Sequence, residues 1–187
     1  KENNFPSSSF NKDTAKWISM RGFDYIFQID RKSNFRKLPF PKLNNKHLKV
    51  FSMAVDTSVV WFGCTNSWLM KYDISKNKFF PHAIKPKGEE GNPDIGIHNI
   101  LLNEKDLIIN GVKAIYSFNT TNNTISTKYI HPDFTPCFCM ISDNNNGYWL
   151  GVNKNTIKHI NQDFKEIAAY RFEEGLNNVE HICLGDS

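Results

Sequence analysis

This 187-residue chain has little of what usually announces a chemistry. Four cysteines form no CxxC pair and no disulfide framework. Cys137 and Cys139 stand two apart on one predicted strand, so they share a face and are poorly placed to bond each other. Glycine and proline number only 10 and 8, which excludes a linker-like or low-complexity chain. No apolar run approaches the roughly 20 residues of a spanning helix, and the first residues, Lys1-Glu2-Asn3-Asn4, are polar and unlike a secretory signal. Lysines and arginines are scattered under a net charge of +4, with no block to grip a phosphate backbone. Six dispersed histidines lack metal-ligand spacing; His159 and His181 lie in predicted strands and read as packing or surface positions. Asp143–Gly147 misses the calcium-loop pattern, because its glycine comes early and no closing Glu follows. It also misses the sialidase Asp-box spacing. No nucleophile elbow, Cys–His pairing or phosphate loop is present, and Glu89-Glu90 and Glu173-Glu174 read as solvated loop residues. Two sequons, at Asn119 and Asn122, carry little weight in a chain with 23 asparagines.

What the chain has is repetition. Trp17-Ile18-Ser19, Trp61-Phe62-Gly63, Leu107-Ile108-Ile109 and Trp149-Leu150-Gly151 start at steps of 44, 46 and 42. Each is followed by Ile29-Asp30, Tyr72-Asp73, Phe118-Asn119 or Ile160-Asn161, whose Asp or Asn lies twelve or thirteen residues after the start. Short strands with Asn, Asp and Gly between them, at this period, predict an all-β chain of β-propeller type with four antiparallel strands, A to D, per blade. The blades are expected at about 5–40, 47–82, 97–130 and 136–172, with an extra strand at 178–185. Five strand-A candidates for four blades suggest a piece of a longer array; the alternative is that the last strand closes a four-bladed ring. Asp30, Asp73, Asn119 and Asn161 are expected to open the C–D hairpins as Asx-turns. The third repeat, with Leu107 for Trp and Ile109 for Gly, is expected to pack differently.

Val60-Trp61-Phe62-Gly63-Cys64-Thr65, Gly147-Tyr148-Trp149-Leu150-Gly151 and Gly175-Leu176-Asn177-Asn178-Val179 resemble the two-component regulator propeller repeat. The resemblance implies the extracytoplasmic sensor region of a Bacteroidetes hybrid two-component system, detecting oligosaccharides for a histidine kinase encoded elsewhere in the parent protein. It implies a periplasmic or extracytoplasmic location on a membrane-anchored sensor. Partners expected are an oligosaccharide, the remaining blades of the parent and, through an exposed blade face, a second copy of the chain; nucleic acid, cofactor and metal are not expected. Propeller loops joining B to C and D to the next A gather on one face. Arg21, Phe23, Asn66, Trp68, Lys113, Asn153 and Lys154 are therefore the candidate ligand residues, offering rings to stack on sugar faces and donors for hydroxyls. No catalytic residue is assigned. A protein-interaction scaffold and a propeller glycosidase or lyase are the rival readings.

Overall fold

A computed structural model describes residues 6–10, 15–20, 24–84, 96–103, 106–131, 137–143, 147–152, 155–172, 179 and 182–183. The described residues form sixteen strands in four antiparallel sheets, each strand pairing with its chain neighbours. The first sheet holds β1 (Pro6–Phe10), β2 (Ala15–Met20), β3 (Tyr25–Asp30) and β4 (Phe35–Pro39). The second holds β5 (Val50–Val55), β6 (Val59–Cys64), β7 (Trp68–Asp73) and β8 (Lys78–Ala83). The third holds β9 (Ile97–Asn103), β10 (Asp106–Gly111), β11 (Ala114–Asn119) and β12 (Ile125–Ile130). The fourth holds β13 (Cys137–Ser142), β14 (Tyr148–Val152), β15 (Thr156–Ile160) and β16 (Glu166–Arg171). This is the four-strand unit predicted from the repeat, in an all-β chain of propeller type. Of the extra strand expected at 178–185, only Val179, Ile182 and Cys183 are described, and none of them lies in a strand.

The chain divides into two compact units, residues 1–84 with 91–100, and residues 85–90 with 101–187. In the first unit Trp17, Ile26, Leu38, Val60, Phe62 and Tyr72 belong to one core, with the Trp17 ring edge-on to Tyr72 at 5.5 Å. In the second, Ile108, Ile115, Met140, Leu150 and Ile160 form the core. Burial fades outward along each sheet: β10 and β11 are almost wholly buried, whereas most of β12 and β16 is exposed. Large side chains therefore fill the inner strands and polar ones face water at the outer edge, as layered repeat units require.

The Asx-turn expectation holds at all four hairpins. Asp30 Oδ1 accepts from Lys32 N and Asn34 N, both at 2.8 Å. Asp73 Oδ1 accepts from Ser75 Oγ at 2.7 Å and Lys76 N at 3.0 Å. Asn119 Oδ1 takes Thr121 N and Asn122 N at 3.1 Å; Asn161 Oδ1 takes Asp163 N at 3.0 Å and Lys165 N at 2.9 Å.

These turns also act as a ruler, and they correct the third repeat. Asp30 pairs with Ala15, Asp73 with Val59 and Asn119 with Asp106. Two residues beyond each partner come Trp17, Trp61 and Ile108. Ile108, not Leu107, therefore holds the Trp register, and Asn110, not Ile109, that of Gly63. The slip was hidden because both faces of β10 are buried, so apolar residues run on without alternation.

Candidate functional site

Among the seven candidate ligand residues, Asn66, Trp68 and Lys113 are described; Arg21, Phe23, Asn153 and Lys154 lie outside the described residues. Asn66 and Ser67 take left-handed backbone (φ 58° and 57°) in the turn between β6 and β7, a conformation asparagine tolerates well. This turn is stitched to both neighbouring segments at its end of the sheet. Thr65 N donates to Lys49 O at 2.9 Å, and Ile84 N donates to Ser67 O at 2.8 Å. The B–C turn of the second sheet thus sits beside the start of its strand A and the end of its strand D, the arrangement assumed for the rim. Asn66 is exposed, while Trp68 is half-buried and packs against the first unit's core.

Lys113 belongs to the second unit, at the B–C turn of the third sheet, where its carbonyl accepts from His131 N at 2.8 Å. His131 is 2% exposed, and its Nε2 lies 3.1 Å from Asn110 Oδ1. The Asn110 amide in turn donates to Cys137 O at 3.1 Å. This buried polar chain holds the third sheet's rim end to the start of β13.

The second unit also carries a cleft of about 460 Å³ at the other end of its sheets, where strands A meet B and C meet D. Asp106, Ser117, Lys128, Tyr148, Gln162 and Phe164 are among its lining residues. Asp106 is fixed in place, accepting from Ser117 Oγ at 3.0 Å and Asn119 Nδ2 at 2.8 Å. Phe164, at φ 60° inside the β15–β16 turn, stacks on Tyr148 with centroids 5.3 Å apart. Carboxylate, ammonium and amide groups beside paired rings can hold a small polar molecule. Sequence reading passed over this cleft because the turns that build it look short and polar. The one local signal was Phe164, an aromatic residue immediately after the polar Asn161-Gln162-Asp163 turn.

Behind that end, His159 Nε2 lies 2.5 Å from Asp143 Oδ2, and Gly147 N donates to Asp143 Oδ1 at 2.6 Å. Trp149 stacks flat on the His159 ring at 4.1 Å. The pair ties the A–B turn to strand C, the packing role expected of His159. Burial raises the Tyr148 phenol, aided by the nearby Asp143 charge. Among the described residues no group of three or more His, Cys, Asp and Glu could hold a metal, and none of their helices is long and apolar enough to cross a membrane.

No protein-family model and no curated protein sequence matches the chain. Solved structures do. A streptogramin B lyase superposes with a TM-score of 0.69 at 18% identity, over 92% of this chain and 56% of its own. The extracellular domain of a hybrid two component system from B. thetaiotaomicron gives 0.68 at 13% identity, over 95% of this chain and 26% of its own. That of a one component system from the same organism gives 0.61 at 17%, over 93% and 22%. At these identities the likeness is one of fold, and the chain spans little more than half of the lyase.

Proposed function

We propose that this chain is a ligand-recognising propeller segment from the extracytoplasmic part of a two-component sensor, and that it carries no catalysis of its own. The observation that carries the reading is the agreement of two independent likenesses. The Trp-Phe-Gly-Cys-Thr and Gly-Leu-Asn-Asn-Val phrases resemble the regulator propeller repeat, and the fold matches extracellular domains of signalling proteins over nearly the whole chain. The ligand is an oligosaccharide, taken at the B–C loops, which carry Arg21, Phe23, Asn66 and Trp68 in the first unit and Lys113, Asn153 and Lys154 in the second. The parent passes binding to a histidine kinase across the membrane, which requires the ligand to bind one of two conformations more tightly.

Calorimetric titration with glycan-derived oligosaccharides tests this. A Trp68→Ala variant should lose about 1–2 kcal/mol, roughly a 5- to 30-fold weaker Kd, because a stacking surface is removed. Binding that survives Trp68→Ala but falls with Asp106→Asn would move the ligand to the opposite end of the sheets. The lyase likeness supports a second reading, an enzyme. Turnover of a streptogramin B or of a glycan by the chain would replace the sensor with it.

A further inference from the structure

One device recurs at the ends of the second, third and fourth sheets. Ser52 Oγ donates at 3.0 Å to the carbonyl of Ile97, the residue that opens β9. Asn110 Nδ2 donates at 3.1 Å to the carbonyl of Cys137, which opens β13. A third example follows the last sheet: Cys139 Sγ donates at 3.2 Å to the carbonyl of Val179. Ser52 and Cys139 hold equivalent places, since each pairs with the glycine of the neighbouring strand, Gly63 or Gly151. Those glycines are equivalent in space as well. A Cβ on Gly63 would lie 2.5 Å from Ile97 Cγ2; one on Gly151 would lie 2.7 Å from Val179 O and 2.8 Å from its Cγ1.

We propose that Val179 opens the innermost strand of a fifth blade, and that the face of the fourth sheet bearing Trp149 is the seat of that blade. The occupant is a four-stranded antiparallel sheet of the kind that recurs in this chain. Pairing puts Trp149, His159 and Ala168 on one face of the fourth sheet, together with Gly151, Ile157 and Tyr170. Trp61 and Leu69 hold the places of Trp149 and Ile157 in the second sheet, and they are 4% and 0% exposed. Trp149 and Ile157 are only half-buried, and Tyr170, 5.9 Å from the Trp149 ring, is 52% exposed. Val179 covers the glycine while the aromatic part of the same face stays open. A blade requires that surface buried, because repeat units find their core only in their neighbours. The proposal concerns blade packing and does not depend on any ligand.

The test uses 5-fluorotryptophan in the 187-residue chain and in the natural polypeptide that carries it. The Trp149 fluorine resonance is assigned by its loss in Trp149→Phe, and its H2O/D2O solvent shift reports exposure. The shift should be large in the 187-residue chain and fall to the Trp61 level in the natural polypeptide at every protein concentration. An equal shift in both overturns the proposal. So does a shift in the 187-residue chain that vanishes as concentration rises, which would make a second copy the occupant. Independently, Gly151→Ala should speed amide exchange over residues 179–183 by at least about tenfold while β11 keeps its protection. Exchange unchanged there shows that Val179 is not seated as proposed.

Discussion

Adding one methyl group at Gly63 should unsettle the first unit more than any surface change. An ideal Cβ there would lie 2.3 Å from Ser52 Oγ and 2.5 and 2.9 Å from Ile97 Cγ2 and Cβ. Two of these atoms belong to a branched side chain that is 1% exposed, so it has little room to turn. Overpacking of this kind costs about 1–3 kcal/mol. Displacing Ser52 also strains its bond to the Ile97 carbonyl, a further ~1 kcal/mol for a buried hydrogen bond. Gly63→Ala should therefore lose about 2–4 kcal/mol, or on the order of 10 °C in Tm for a unit of this size. Urea unfolding followed by tryptophan fluorescence in a Trp149→Phe background reads Trp17, Trp61 and Trp68, all in the first unit. Gly96→Ala is the control: its closest contact would be a Phe51 ring edge at 3.1 Å, and about 1 kcal/mol or less is expected. Adding Ser52→Ala to Gly63→Ala should recover only part of the loss, since Ile97 still obstructs. A change below about 0.5 kcal/mol for Gly63→Ala would refute the close-approach argument.

Two further outcomes are expected. Asp30 is held below the ordinary carboxylate range, first by the Asn34 side-chain amide and then by the Asn34 backbone N–H; Asp73 is held lower chiefly by the Ser75 hydroxyl and then by Lys76. Both folded values lie below the unfolded one, so their stabilisation is complete above about pH 4 and fades as pH falls through that region toward the folded values. Asn119 and Asn161 do not titrate, so lowering the pH from about 6 to about 2.5 should loosen amide protection at residues 31–34 and 74–77 but not at 120–123 or 162–165; equal loosening at all four turns would contradict this. Burial raises the Cys64 thiol and pushes Cys137 up to about 12, whereas Cys183 is exposed. Iodoacetamide at neutral pH should label Cys183 first by mass spectrometry, and Cys137 labelled as quickly would show the core to be open.

The turns were the most legible part of the sequence, because an Asp or Asn that caps a hairpin acts within four residues of itself. Asp30, Asp73, Asn119 and Asn161 all do what their positions suggested, and the strand order follows from them. Trp17 and Trp61 were legible for a different reason: a large ring at a fixed step predicts a shared packing role, and both are buried. The rim was legible only as a set of loops. Its second-sheet part proved to be held together by Lys49, Ser67 and Ile84, backbone contacts that no side-chain pattern announces. The cleft around Asp106, Tyr148 and Phe164 had Phe164 as its single local signal and was otherwise illegible. It needs the Asp106–Asn119 pair of the third sheet beside the Tyr148–Phe164 pair of the fourth, and such a meeting depends on how sheets stack.

The third repeat shows why residue matching failed where geometry succeeded. The need at the end of strand B is to bring the next strand A close and to satisfy the carbonyl of its first residue. Gly63 and Gly151 meet the first need by having no side chain, and leave the second to Ser52 and Cys139 on their own strand A. Asn110 reverses the division: it keeps a side chain on strand B and makes the bond itself, with His131 Nε2 beside its carbonyl oxygen. Glycine and asparagine look unrelated in an aligned repeat, yet with either one the carbonyl beyond finds a donor. What the second, third and fourth sheets share is a polar atom bonded to the carbonyl that opens the next inner segment. By that criterion the pattern does not stop at β13, because Cys139 makes the same bond to Val179.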